Sequence, residues 1–288
     1  INYLTNSSDL SVYKTVFECV KKICKKYRYM FRSDALYLEM NYVIENFSAH
    51  MINALGQCLE MANKPEAQTN EPLIRTLYSV INSILHIIES VLSQEELPDF
   101  YEENLPQISQ VCIFVLGQDY PKFSKVPDEI VKARGKVVSL IYLYSFKFGE
   151  YFKQYNDGMF QAIWQLVERG GVQPTKQSEK LVRITVKYMG EMVSQASKQE
   201  FIKMNLIKIF DILILPNISI TAEDLEEYED DADAYIRNDL EESDTETRRR
   251  HCMKFVQQLS KRFPMEMGGM VSNYVNNYLA DYETNRQS

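Results

Sequence analysis

Turn-forming residues are scarce in this chain of 288 residues, which contains only 10 glycines and 9 prolines. A protein made of many short strands needs frequent turns, and glycine and proline supply most of them. Their scarcity argues against such a fold and favours long elements joined by few connections. The hydrophobic content of 45% is enough for a large buried core.

Constellations that carry catalysis or bind metals are also lacking. The histidines His50, His86 and His251 stand alone, with no second histidine at the spacing of a metal site. The glycines form no phosphate-binding loop, and no G-x-S-x-G nucleophile motif occurs. We therefore expect a protein that is not an enzyme and that has no catalytic residue, metal or cofactor. A site assembled from scattered residues is the remaining enzymatic alternative.

Basic charge is in deficit, since the net charge is −8 and the pI is near 5.1. Binding to nucleic acid depends on basic charge, so a basic protein surface is the better electrostatic match. No uncharged apolar run approaches the roughly 20 residues that a membrane span requires. We expect a protein partner, no nucleic acid and no membrane insertion.

The five cysteines are odd in number and form no C-x-x-C motif. Four of them lie in apolar helical patterns, which indicates buried free thiols and a reducing compartment.

Apolar residues recur at steps of three and four through most of the chain, a pattern typical of amphipathic helices. In the first helix, for example, Val16, Val20 and Ile23 share one face. Ser33 is expected to cap the second helix, and Asn156 or Asp157 to cap one that Gly170 and Gly171 end. The other predicted helices cover about 10–27, 71–92, 97–116, 128–152, 178–192, 198–213, 245–263 and 270–282.

Pairs of these helices recur at roughly 40 to 60 residues, near the armadillo and HEAT repeat lengths of about 40 to 47. One such pair cannot bury its apolar face alone, so stacking is expected. We predict an all-α fold, a HEAT-repeat superhelical solenoid in which residues 1–288 form a single array of about six helix pairs. Because the pattern is already under way at Ile1, we expect a piece of a longer protein.

An acidic segment at residues 221–244 interrupts the array, and Arg248, Arg249 and Arg250 follow it. Such runs are usually disordered loops. However, apolar and aromatic residues are interspersed among the acids, which favours docking on the protein's own scaffold or on a partner. These residues are Leu225, Tyr228, Tyr235, Ile236 and Leu240. The candidate partner-binding residues are Glu226, Glu227, Glu229, Asp230, Asp231, Asp233, Tyr235, Arg237, Asp239, Arg248, Arg249 and Arg250. Ser243 and Glu246 are expected to form a capping box for the next helix.

A second charged cluster, from Lys21 to Arg32, is basic. Its simplest interpretation is a solvated helix end, where the helix dipole favours cations; a binding patch is the alternative.

The segment from Leu215-Pro216-Asn217 through the acids, Tyr235–Asp244 and Thr247–Arg250 resembles the Cse1/CAS family of exportins. Shorter similar stretches are Lys26-Tyr27-Arg28, Leu97–Asn104 and Ala162–Leu166, and all of these occur in the family's order. The resemblance implies an importin-beta-like karyopherin that binds Ran-GTP and carries importin-alpha from the nucleus to the cytoplasm, shuttling through nuclear pores. It also implies that residues 221–244 are an insertion within a HEAT repeat that touches Ran and cargo. The alternative is a general helical-repeat scaffold with a different basic protein or peptide partner.

Overall fold

The computed structural model describes residues 9–31, 33–94, 96–239 and 246–286, with the backbone alone for Asn238 and Asp239. Across these ranges the regular structure is helical, and no strand occurs. The chain divides into two compact units, residues 1–169 and 170–288, which we describe separately.

The first unit is built from long helices joined by short turns. Its helices are α1 (Leu10–Cys24), α2 (Asp34–Ala62), α3 (Glu71–Val91), α4 (Asp99–Glu103), α5 (Leu105–Gly117), α6 (Asp128–Lys147), α7 (Gly149–Phe152) and α8 (Asn156–Glu168). Short 3-10 turns lie at Lys25–Arg28, Ala67–Thr69 and Lys153–Tyr155.

These helices form two layers. In one layer α1 packs against α3 and α3 against α6, and in the other α2 packs against α5 and α5 against α8. The layers meet where α3 contacts α2 and α6 contacts α5. Successive long helices therefore alternate between layers, as expected for stacked helix pairs. The core between them is almost entirely apolar, and one of its few polar contacts joins the buried hydroxyls of Ser48 and Tyr101 at 3.0 Å.

Several predicted boundaries are confirmed. The Ser33 side chain accepts a hydrogen bond from the backbone of Leu36 and caps α2, as predicted. Gly170 adopts a φ of 75° directly after α8, which is the left-handed conformation that ends many helices. The prediction for the other end of α8 is wrong. Asn156 is its first residue, and Tyr155 is the N-cap.

Three long predicted helices are interrupted. Pro106 predicts a kink or a break in the helix from Leu97. This prediction is confirmed, since the helix is interrupted at Asn104 and Pro106 lies in the first turn of α5, where its missing N–H is harmless. The helix predicted over 128–152 ends at Lys147, and α7 forms a separate turn. The helix predicted over 198–213 is interrupted at Asn205. Helical turns then continue past the predicted stop at Pro216 as far as Ile218, because Pro216 lies in the first turn of a short helix, Leu215–Ile218.

The second unit contains both the acidic segment and the arginine triplet. Its helices are α9 (Glu179–Met192), α10 (Ala196–Met204), α11 (Leu206–Ile209), α12 (Leu215–Ile218), α13 (Ala222–Asp230), α14 (Ala232–Asp239), α15 (Arg248–Arg262) and α16 (Pro264–Arg286). A π-helical turn, Phe210–Ile214, joins α11 to α12. Helix α15 packs against α9, α12 and α16 and is the centre of this unit.

Candidate functional site

The acidic segment begins as a capped helix. Thr221 is the N-cap of α13, and its hydroxyl accepts a hydrogen bond of 3.2 Å from the backbone N–H of Asp224. In return, the Asp224 carboxylate accepts a bond of 2.7 Å from the Thr221 backbone N–H. This reciprocal capping box satisfies two backbone donors and fixes the start of the helix. It also fixes the direction of the Asp224 side chain.

Among the acids of the segment whose side chains the structure describes, Asp224 is the buried one, with only 6% of its surface exposed. Its Oδ2 atom lies 2.7 Å from Nη2 of Arg249 and also accepts a hydrogen bond from Nη2 of Arg248. Both arginine side chains are themselves largely buried, at 13% exposure. One carboxylate thus ties α13 to the first turn of α15.

The arginine triplet occupies an unfavourable place in its own helix. Thr247 caps α15 by accepting from the Arg250 backbone N–H, so the cations lie at the positive end of the helix dipole. Acids from two other helices offset this repulsion. Besides Asp224, Glu179 at the start of α9 accepts a 2.8 Å bond from the Arg248 backbone and lies 3.6 Å from its guanidinium.

These contacts set the ionisation of Asp224. Burial alone raises the pKa of a carboxyl, but the hydrogen bonds from Arg248 and Thr221 outweigh it. The pKa of Asp224 is therefore lowered below its usual value, and the carboxylate is charged at neutral pH. A charged, paired carboxylate is what the two buried guanidinium groups need, because an unpaired buried charge is costly.

An aromatic contact continues this anchor into α14. The guanidinium of Arg249 lies over the half-buried ring of Tyr235, 5.6 Å from its centroid. The Tyr235 ring in turn packs edge-on against Tyr228 of α13 at 5.7 Å. Arg249 thus contacts both helices of the acidic segment, and α13 and α14 are held together by their tyrosines.

The other candidate acids of α13 and the start of α14 are exposed to solvent. The exposed residues are Glu226, Glu227, Glu229, Asp230, Asp231 and Asp233, together with Arg237. Leu225, Tyr228 and Ile236 are also exposed, at 53%, 46% and 38%. The resulting acidic face, which we define as these six acids, carries apolar side chains among its charges. The structure therefore brings Tyr235, Arg248 and Arg249 together, and it leaves the side chains of the six acids exposed.

Some of the predicted site falls outside this arrangement. The side chain of Asp239 and the whole of Leu240 and Ser243 lie outside the described residues, so the predicted pairing of Ser243 with Glu246 is not seen. The observed cap of α15 is Thr247, and the Glu246 carboxylate instead contacts His251. Arg250 is half-buried on α15.

The concave feature beside the anchor is small. A cavity of about 210 Å³ is lined by charged residues that include Lys176, Glu179 and Glu227. Its most exposed pair, Lys176 and Glu227, is 3.9 Å apart. In the described ranges, no group of three or more acids, histidines and cysteines is arranged to hold a metal ion. Nor is any described helix long and apolar enough to cross a membrane.

Sequence reasoning missed the two acids that matter most to the anchor, Asp224 and Glu179. Asp224 is one of many acids in the run, and its burial cannot be read from composition. The spacing Thr221-x-x-Asp224 was the available signal, since it is a capping box of the same form as the one predicted at Ser243. Glu179 begins a different helix, and only the tertiary fold brings it to Arg248.

Together these features define a class of protein, an all-helical repeat protein that presents an anchored acidic segment. The family is shown by comparison with known proteins: the Cse1 family model matches residues 23–288, and the chain belongs to the Cse1 family. The suspected family is thereby confirmed.

Relatives from distant organisms match nearly the whole chain. Exportin-2 of Drosophila melanogaster is 27% identical over 97% of the chain, and the importin alpha re-exporter of Saccharomyces cerevisiae is 28% identical over 94%. Exportin-2 of Homo sapiens is 29% identical over 97%. The chain spans about 29% of the length of each of these relatives.

A solved structure, of the exportin Cse1 in its cargo-free, cytoplasmic state, shares the fold. It superposes with a TM-score of 0.83 over 98% of this chain and 31% of the other, at 24% sequence identity. The predicted all-α, helical-repeat fold class is confirmed by this match and by the absence of strands in the described ranges.

Proposed function

We propose that the protein is a nuclear export receptor that binds importin-alpha together with Ran-GTP and returns importin-alpha from the nucleus to the cytoplasm. Membership of the Cse1 family is the observation that carries this proposal, because the matched relatives are named exportin-2 and importin alpha re-exporter. The protein acts by binding rather than by catalysis, and it shuttles through nuclear pores.

The acidic face is the contact with a basic surface of the bound partners. Six exposed carboxylates, five on α13 and α14 and that of Asp231 between these helices, create a negative field. This field speeds the encounter with a positively charged surface and orients it. The exposed Leu225, Tyr228 and Ile236 add apolar contacts once the partner is seated. The remaining candidate binding residues are Arg237, Asp239 and Arg250. In the sequence they follow the six acids of this face.

The anchor determines where this face points. Since Asp224 fixes α13 to the buried Arg248 and Arg249, the acids on α13 are displayed in one orientation rather than on a free loop. Holding a binding segment in place before the partner arrives lowers the entropy lost on binding. The anchor residues thus support binding without touching the partner.

The function is tested by capture of importin-alpha on the immobilised full-length protein, with Ran-GTP, with Ran-GDP and without Ran. We expect capture that depends on Ran-GTP. Capture that is equal in all three conditions, or absent from all three, would refute the export function. Ran-independent capture of another basic protein would favour the general scaffold.

The role of the acidic face is tested separately, by replacing Glu226, Glu229, Asp230 and Asp233 with the corresponding amides. We expect weaker capture and a flatter dependence on salt, since exposed charges act through a field that salt screens. The matched control replaces four exposed acids of the first unit, Glu60, Glu66, Glu102 and Glu103, with glutamine. Equal effects of the two variants would show that net charge, rather than this face, is responsible.

A further inference from the structure

A groove in the first unit runs across three neighbouring helices of one layer. Helix α3 lies in the middle, packed against α1 on one side and α6 on the other. The groove has a volume of about 530 Å³. It is distinct from the acidic face, which belongs to the second unit.

Lysines line both sides of this groove. Lys22 on α1 and Lys25 in the following turn stand on one side, and Lys132 on α6 stands on the other. All three are exposed, and none forms a salt bridge within the part of the chain that the structure describes. Their charges are therefore available to a ligand.

The carboxylates that line the groove already have partners. Glu18 lies 2.6 Å from Lys21 and accepts a 2.7 Å bond from the Ser83 hydroxyl. Glu129 lies 2.8 Å from Arg75. These acids offset neighbouring cations and leave the three exposed lysines as the excess charge of the groove.

The floor of the groove is polar. It is formed by Ser79, Asn82 and His86 of α3. Lys136 has only donors and lies 2.8 Å from Nδ1 of His86, so Nδ1 accepts and the proton of the neutral ring is on Nε2. That Nε2–H is buried with no hydrogen-bond partner among the described residues. An unsatisfied donor beneath the floor adds positive potential there.

His86 does not add a full charge of its own. Burial, and then the charges of Lys136 and Arg28, lower the pKa of His86 to about 3. The ring is thus neutral under physiological conditions, and the attraction of the groove for anions comes from its lysines.

We propose that this groove binds an acidic peptide segment of a partner protein, which lies across α1, α3 and α6 between Lys22 and Lys25 on one side and Lys132 on the other. The site is a second interaction surface, opposite in charge to the acidic face and independent of the proposed Ran-GTP and importin-alpha binding. It also gives a role to the basic cluster that begins at Lys21, whose simplest interpretation was a solvated helix end.

The shape of the groove favours a peptide over a compact phosphate. Packed helices lie about 8 to 10 Å apart, so three of them span roughly 16 to 20 Å. An extended peptide rises about 3.3 Å per residue, and five or six residues would cross this distance. Tight phosphate sites instead gather arginine forks or backbone amides around one point. The groove has separated lysines, which suit carboxylates spaced along a chain.

The experiment measures binding of a fluorescent hexaglutamate peptide to the full-length protein by anisotropy at several salt concentrations. The test variant replaces Lys22, Lys25 and Lys132 with glutamine. The control variant replaces Lys14, Lys122 and Lys153, three exposed lysines that do not line the groove, with glutamine. Hexaglutamine and inorganic tripolyphosphate serve as alternative ligands.

We expect the test variant to lose about tenfold in affinity, since three partly exposed ion pairs are removed, and the control to stay within about twofold. Equal losses in both variants, or equal binding of hexaglutamine, would overturn the proposal. Tighter binding of tripolyphosphate than of hexaglutamate would assign the groove to a compact anion. Salt-sensitive self-association abolished by the test variant would assign it to the acidic segment of a second copy, and either result would overturn the peptide assignment.

Discussion

Replacing Asp224 with asparagine removes the charge that two buried arginines share while keeping the size of the side chain. Asp224 is 6% exposed, and Arg248 and Arg249 bind the same carboxylate oxygen. Removing one partner of a buried ion pair costs about 3 to 5 kcal/mol, because the remaining charge stays buried and unpaired. Since Glu179 still offsets Arg248, we expect about 3 kcal/mol.

This loss should fall on the docking of α13 rather than on the whole fold. The helix is joined to α15 mainly through Asp224, so it can detach while α15 stays packed on α9. Hydrogen exchange of the amides in Ala222–Asp230 measures that local opening directly. A loss of 3 kcal/mol corresponds to roughly 150-fold faster exchange of the protected amides.

Asp230→Asn is the matched control, since it removes an exposed charge from the same helix and should change stability by less than about 0.5 kcal/mol. In a background where Arg248 and Arg249 are already glutamine, Asp224→Asn should cost much less, because the pairs it breaks are gone. Equal exchange rates for Asp224→Asn and Asp230→Asn would refute the anchor.

Three further predictions test the charges and the core. The lowered pKa of Asp224 means that its contribution to stability is fully present above about pH 4, the pKa of the unfolded state, and is lost as the pH falls through the pKa of the folded state. The Asp224→Asn variant should therefore lose less free energy of unfolding than the wild type when the pH is lowered. An equal loss in both proteins, measured by urea unfolding, would contradict this. Cys19 is exposed, whereas burial raises the pKa of Cys24, Cys58, Cys112 and Cys252 to about 12; mass spectrometry after brief alkylation at pH 8 should find one labelled site, and rapid labelling of several would be inconsistent with the packing. Ser48→Ala leaves the buried Tyr101 hydroxyl without its partner and should cost about 1 to 3 kcal/mol; adding Tyr101→Phe should recover part of this in denaturant melts, and an additive loss would show that the hydrogen bond is unimportant.

Periodicity predicted the helical class well because the core selects one face of each helix. It could not place every boundary, since a residue such as Asn156 can serve equally as a cap or as the first helical residue. In the structure its side-chain oxygen accepts a 3.0 Å bond from Ser145, which gives it a tertiary partner instead of a capping role. Pro216 was expected to end a helix, but it lies in the first turn of α12 instead, because proline is compatible with that position.

The candidate site, too, could be predicted only in part. The acidic run and the arginine triplet are visible in the sequence, but the sequence does not show whether their ion pairs are exposed, in which case each would contribute little to stability. Asp224 is buried, and the side chains of Arg248 and Arg249 are only 13% exposed, which makes the pairing an anchor. For Cys19 the pattern is misleading in the opposite direction. Its spacing from Val16 and Ile23 is that of a helical face and predicts burial, but Cys19 is exposed. Burial depends on contacts between helices that are distant in the sequence, so it cannot be predicted from the spacing of residues within one helix.

Coupling between the two proposed partners is the most direct test of the export function. Isothermal titration would measure the affinity of the full-length protein for importin-alpha with and without saturating Ran-GTP, and for Ran-GTP with and without importin-alpha. Linkage requires the same factor in both orders, and a typical coupling is about 5- to 150-fold. We predict mutual strengthening within this range. Independent binding, with a factor near one, or no binding of importin-alpha at all would contradict the proposed function.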